Sequence, residues 1–132
     1  MDQEGATKAS VCCYRDLRVW RGAMDLTVLV YSITKRFPRE ETYGLASQMR
    51  RAAVSLPSNI AEGHTRESRK EYLHFLSVAQ ASLAELETQA ELGLRLGYVT
   101  SESYGELAKD FGNLGRQLRR LRQRLQIPNS SP

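Results

Sequence analysis

The chain has 132 residues, 41% of them hydrophobic and 26% charged, with 19 Lys and Arg against 15 Asp and Glu and a net charge of +4. That length fits one domain able to build a core without disulfides or metals, and the composition excludes wholesale disorder. The longest stretch free of Asp, Glu, Lys and Arg, Tyr72 to Ala84, is shorter than the roughly 18 apolar residues of a membrane span.

The opening MDQEGATKAS has no apolar run of the secretory kind, and the adjacent Cys12 and Cys13 give neither a disulfide framework nor a zinc pattern. A reduced, cytoplasmic protein with no membrane contact is the expectation. Residues 1–13 read as a flexible leader, 14–127 as the folded unit and 128–132 as a flexible tail. The first helix is expected from about Leu17 to Phe37, after a possible cap at Asp16 and before Pro38, which cannot extend it. Trp20, Met24, Val28 and Tyr31 lie on one side of it, while Leu26, Leu29, Val30 and Ile33 spread over the other. A helix apolar nearly all round is buried on two sides, so this one is expected to pack against another subunit as well.

A second helix is expected from near Thr42 to about Gly63, with Leu45, Met49, Ala52, Leu56 and Ile60 facing inward. Pro57 interrupts it: the ring has no donor and collides with the carbonyl of Ala53, which predicts a kink or break. Ser55, Ser58 and Asn59 are at hand to satisfy the freed backbone groups. The third helix opens on the capping box Ser68-Arg69-Lys70-Glu71 and stops at Gly97. Its seam is Leu76, Ala79, Leu83, Leu86, Ala90, Gly93 and Gly97. The fourth starts between Thr100 and Ser103, where Ser103 and Glu106 offer another box, and fades before Pro128. Leu107, Phe111, Leu114, Leu118, Leu121 and Leu125 form its apolar stripe. Short links make sequential helices antiparallel neighbours, so the fold class is an all-α, antiparallel up-and-down four-helix bundle with a proline-kinked second helix.

Six strings carry a resemblance. They are Tyr14-Arg-Asp-Leu-Arg-Val-Trp20, Tyr43-Gly-Leu, Arg50-Arg-Ala-Ala-Val-Ser55, Pro57-Ser-Asn-Ile-Ala-Glu-Gly63, Ser68-Arg-Lys-Glu71 and Ser82-Leu-Ala-Glu-Leu-Glu-Thr-Gln89. In this order they resemble the bacterial four-helix-bundle proteins first noticed as reading frames inside intervening sequences of 23S ribosomal RNA genes. The match runs from about Tyr14 to Leu125, and Pro57 to Gly63 is its most specific part. The resemblance implies an up-down bundle assembled as a ring-like homopentamer, with no known enzymatic activity. The family is also similar in fold to accessory proteins of diversity-generating retroelements, basic pentamers that bind a reverse transcriptase and nucleic acid.

Gln48, Arg51, Ser55, Asn59 and Glu62 form a polar flank on the second helix, read as a hydrogen-bonded seam that fixes register and assembly. Glu71-Tyr-Leu-His74 has the Glu-x-x-His spacing of di-iron bundles. The other histidine, His64, follows Ala61 at that spacing, so one chain cannot complete the ligand set. No nucleophile is tied to a base and no Gly-rich phosphate loop occurs; neither an enzyme nor a cofactor is expected.

The basic residues are clustered. Between Leu114 and Ile127 stand Arg116, Arg119, Arg120, Arg122 and Arg124, with no acid among them, and Arg116, Arg120 and Arg124 share one helical face. Arg66, Arg69 and Lys70 form a second concentration, whereas Glu85, Glu87, Glu91, Glu102 and Glu106 make an acidic region. A guanidinium fork takes phosphate oxygens in pairs, and a ring would multiply the stripe's field. The expected partners are further copies of the chain and structured RNA or DNA, bound without base reading; Tyr98 and Tyr104 are available for stacking. The competing readings are a solvated face, arginines paired with Glu85 and Glu91, and a scaffold docking an acidic protein such as a reverse transcriptase.

Overall fold

The computed structural model describes residues 13–127. Four helices fill it: α1 Arg18–Thr34, α2 Leu45–His64, α3 Arg69–Arg95 and α4 Ser101–Gln126, with short 3₁₀ turns at Tyr14–Asp16 and Arg39–Glu41. Each helix packs on two neighbours in cyclic order, α1 on α2, α2 on α3, α3 on α4 and α4 on α1. The chain is an all-α four-helix bundle. Between α3 and α4 the contacts run in opposite order along the two helices: Arg69 reaches the Ile127 carbonyl, Arg122 meets Gln80, and Tyr104 meets Glu91.

The core follows the heptad-like stripes. Leu26 and Val30 of α1, Met49, Leu56 and Ile60 of α2, Leu76 and Leu86 of α3, and Leu107 and Leu118 of α4 are fully buried. Each such side chain contributes roughly 1.5–3 kcal/mol by leaving water. Leu121 and Leu125 extend the α4 stripe as half-buried residues against the same core. Among the described residues no helix is long and apolar enough to cross a membrane.

The helix ends are set locally, and several differ from the sequence expectation. Ser68 Oγ accepts from Glu71 N at 3.0 Å, so the expected cap opens α3. Gly97 has φ +82° and the Gly93 carbonyl accepts from Tyr98 N and Val99 N at 2.9 and 3.1 Å, the left-handed stop expected there. At α4 the cap is Thr100, whose Oγ1 accepts from Ser103 N at 3.1 Å, rather than Ser103 itself. Helix α2 starts at Leu45 instead of Thr42 because Glu41 Oε1 accepts from Leu45 N at 2.8 Å, a cap supplied from the preceding turn. Helix α1 ends at Thr34, and Phe37, buried beyond it, continues the core from the loop.

Pro57 does not break α2, which runs from Leu45 to His64 as one span. The carbonyl that Pro57 leaves without a partner belongs to Ala53, and it is met from α1: Thr27 Oγ1 lies 3.0 Å from it. The same hydroxyl lies 2.8 Å from the Ala23 carbonyl, so one proton serves two acceptors. The relief comes from a neighbouring helix and not from Ser55, Ser58 or Asn59, as local sequence suggested.

The outer side of α1 divides. Trp20 is half-buried, edge-on to Tyr14 with ring centroids 5.3 Å apart, and belongs to this chain's own packing. Val28 is 67% exposed and Met24 and Tyr31 are 41% exposed. Beside them on the α1–α2 face lie exposed Val54 and Tyr43, and Arg50 holds its guanidinium 4.6 Å above the Tyr31 ring while donating to Thr34.

Candidate nucleic-acid interface

Two basic segments far apart in sequence meet at one end of the bundle. Arg69 Nη1 donates to the Ile127 carbonyl at 3.4 Å, which joins the start of α3 to the end of α4. Arg69 and Lys70, both exposed, line a shallow groove with Leu73, Leu125 and Gln126. On α4, Arg116, Arg119, Arg120 and Arg124 are exposed, and Arg116 donates to Asn113 Oδ1 one turn back. Arg120 and Arg124 turn toward the start of α1, where Arg18 faces them across a cleft. Arg122 is placed differently: it is half-buried and donates to Gln80 of α3, so its guanidinium ties two helices together. Arg66 is held by a 3.0 Å ion pair with Glu62 and lies 4.9 Å above the Phe75 ring.

Sequence reasoning did not single out Arg15, Arg18 and Arg21. Arg18 and Arg21 are exposed in the first turn of α1 and Arg15 in the 3₁₀ turn before it, and Arg21 Nη1 donates to the Arg15 carbonyl at 3.3 Å. Three arginines within seven residues were the available signal, but only the fold shows that this segment stands beside the last turns of α4. On α3, within reach of the Arg124 charge, the half-buried Tyr72 hydroxyl has no hydrogen-bond partner. Burial pushes that phenol up to about 12, with the charge of Arg124 working in the opposite direction.

The acidic residues do not pair with the stripe. Glu91 accepts from Arg95 Nε at 2.9 Å and from Tyr104 Oη at 3.0 Å, and Glu85 accepts from Gln89 Nε2 at 3.3 Å. The hydrogen bonds from Arg95 and then Tyr104 hold the Glu91 carboxyl below its ordinary range. Tyr98 donates to Glu41 at 3.2 Å and stands against Phe37, so both tyrosines sit with acids at the end opposite the arginines. Among the described residues the ion pairs are Arg66–Glu62 and Arg95–Glu91, and neither involves Arg116 to Arg124.

Of the polar flank on α2, Ser55 and Asn59 are half-buried and Gln48, Arg51 and Glu62 are exposed. Asn59 Nδ2 donates to the Ser55 carbonyl and to Ser55 Oγ at 2.8 and 2.9 Å, and Ser55 Oγ meets Ser82 Oγ of α3 at 2.8 Å. Gln48 and Arg51 line a polar cleft over this contact with Ser82 and Glu85. Glu62 turns to Arg66 instead. Glu71 and His74 are both exposed, and among the described residues no three His, Cys, Asp or Glu gather as metal ligands.

The comparisons with known proteins agree on the fold. The family described as 23S rRNA-intervening sequence protein matches residues 15–120. A crystal structure of a protein of unknown function from the S23 ribosomal protein family of Bacteroides thetaiotaomicron superposes with a TM-score of 0.74 at 24% identity, covering 80% of this chain and 95% of that one. No curated protein matches. With the family match spanning most of the folded unit, the chain belongs to the 23S rRNA-intervening sequence protein family.

Proposed function

We propose that this protein is a non-enzymatic, oligomeric helical bundle that binds structured RNA or DNA by charge, through the arginines of α4. The observation that carries the reading is that Arg116, Arg119, Arg120 and Arg124 are exposed along the second half of α4 with no acid among them, while exposed Arg69 and Lys70 flank its last residues. Guanidinium groups in surplus over neighbouring carboxylates attract phosphate, and nothing in their arrangement reads bases. The family description points to 23S rRNA, which makes ribosomal RNA fragments the first probe. Self-association is supported by the exposed Met24, Val28, Tyr31, Tyr43 and Val54 on the α1–α2 face. A ring of such copies would present the basic end several times over.

Mobility shifts with ribosomal RNA fragments at several salt concentrations test the binding. Binding that weakens steeply with salt is expected. No binding at low salt, or wild-type binding after charge reversal of Arg116, Arg120 and Arg124, would refute it. Light scattering on the purified chain tests the assembly, and the 14.9 kDa mass of a monomer would refute that part.

A further inference from the structure

The cleft between the start of α1 and the last turns of α4 has a definite chemistry. Arg18, Arg120 and Arg124 line it with Gln117, over an apolar floor of Leu17, Val19 and Leu121. Asp16 also lines it, so three arginines share the cleft with one acid, and Asp16 does not close to ion-pair distance with any of the three. Like charges held together in this way repel, and the apolar floor strengthens every charge interaction above it. An anion relieves the repulsion. The cleft volume, about 230 Å³, lies below the roughly 300–1,000 Å³ of small-molecule sites and has room for a phosphate group.

We infer that this cleft is a phosphate seat, in which Arg18, Arg120 and Arg124 together grip one backbone phosphate of a bound nucleic acid. It rests on the nucleic-acid reading above and adds to it a defined contact point and a residue, Arg18, outside the basic clusters of the sequence. Arg120 and Arg124 stand one turn apart on α4, and Arg18 approaches from α1, so the anion is gripped from two helices. Forked donors from two directions fix the position of a phosphate, where a single stripe would only attract it.

The test uses the full chain. Inorganic phosphate, titrated at constant ionic strength and followed by NMR of the arginine Nε–H groups, is expected to give saturating shifts at Arg18, Arg120 and Arg124. R18Q, with far-UV circular dichroism unchanged, is expected to weaken binding of a structured RNA with 5′-hydroxyl ends several-fold. The same variant should reduce the slope of log K against log salt by about one. An effect of R18Q confined to RNA carrying a 5′-phosphate overturns the backbone assignment in favour of a terminal group. RNA binding unchanged by R18Q in both affinity and slope overturns the seat while leaving the α4 interface standing. Saturating phosphate shifts without RNA binding support an anion seat but overturn the nucleic-acid reading on which the backbone assignment rests. Non-saturating shifts, or displacement of phosphate by polyglutamate as readily as by RNA, overturn the seat itself.

Discussion

Glu91, toward one end of the bundle, has both carboxylate oxygens occupied, one by Arg95 and one by Tyr104, whereas Arg120 toward the other end lines a cleft with two more arginines and a single acid, Asp16, with which it makes no ion pair. The contrast extends to their neighbours. Glu41 caps Leu45 and takes the Tyr98 hydroxyl, so it holds the α1–α2 connection against the α3–α4 connection. At the basic end, Arg116 meets an amide oxygen and Arg69 a backbone carbonyl, and Arg66 is tied to Glu62. At the acidic end Glu41 and Glu91 engage their carboxylates in contacts within the fold, while Glu87, Glu102 and Glu106 stay exposed. The basic end keeps most of its charge facing outward, and a surplus that the fold does not consume is what a polyanion can use.

Substitutions that disturb each end separately sharpen this comparison. The largest effect is expected at Gly63, where α2 turns toward α3 at the basic end. A Cβ there would stand 2.8 Å from Phe75 Cβ and 3.1 Å from the Tyr72 ring. Gly63→Ala should therefore cost about 1–3 kcal/mol by overpacking, read as a lower denaturant midpoint, and should weaken RNA binding with it. At the acidic end Gly97 has φ +82° with nothing within 4 Å of a Cβ, so Gly97→Ala meets backbone strain alone. About 1 kcal/mol of destabilisation, with RNA affinity unchanged, is the expected result. Loss of RNA affinity in the Gly97 variant would show that the two ends are not independent.

Two titrations probe the ends more gently. The folded state raises the Tyr72 phenol from 10.0 to about 12, so it favours the neutral form. That contribution is complete below pH 10.0 and is lost as pH rises through about 12. Tyr72→Phe removes a hydroxyl that has no partner, so stability at neutral pH should hold or rise while the alkaline loss shrinks. Thermal melts across that range measure both. Glu91 has the opposite sign: its pKa is lowered below 4.5, so its contribution is present above 4.5 and lost as pH falls through the lowered value. Glu91→Gln should flatten that acid limb slightly, a small effect because the Arg95 pair is exposed.

Much of this was legible in the sequence where the cause is local. Ser68 and Gly97 mark the ends of α3 because a cap and a left-handed residue act within one turn. The leucine stripes locate the core for the same reason. Contacts between helices were not legible. Thr27 reaches the Ala53 carbonyl that Pro57 leaves free, and nothing near Pro57 in sequence names a residue 26 positions from Ala53. Arg122 and Arg120 read alike as members of an arginine run, yet two residues turn a helix by about 200°, which sends one to Gln80 and the other to the α1 cleft. Arg18 was hidden because its setting depends on a helix that begins some eighty residues later.

The contrast between the ends is tested most directly by fluorescence anisotropy of a structured RNA titrated with three proteins. These are the wild type, a variant with Arg116, Arg120 and Arg124 reversed to Glu, and a variant with Glu102 and Glu106 changed to Gln. A steep salt dependence is expected for the wild type, with roughly 100-fold or greater loss on arginine reversal through lost phosphate contacts. The glutamate variant should keep near wild-type affinity. Equal affinities for the wild type and the arginine-reversed protein would rule out the arginines of α4 as the nucleic-acid contact.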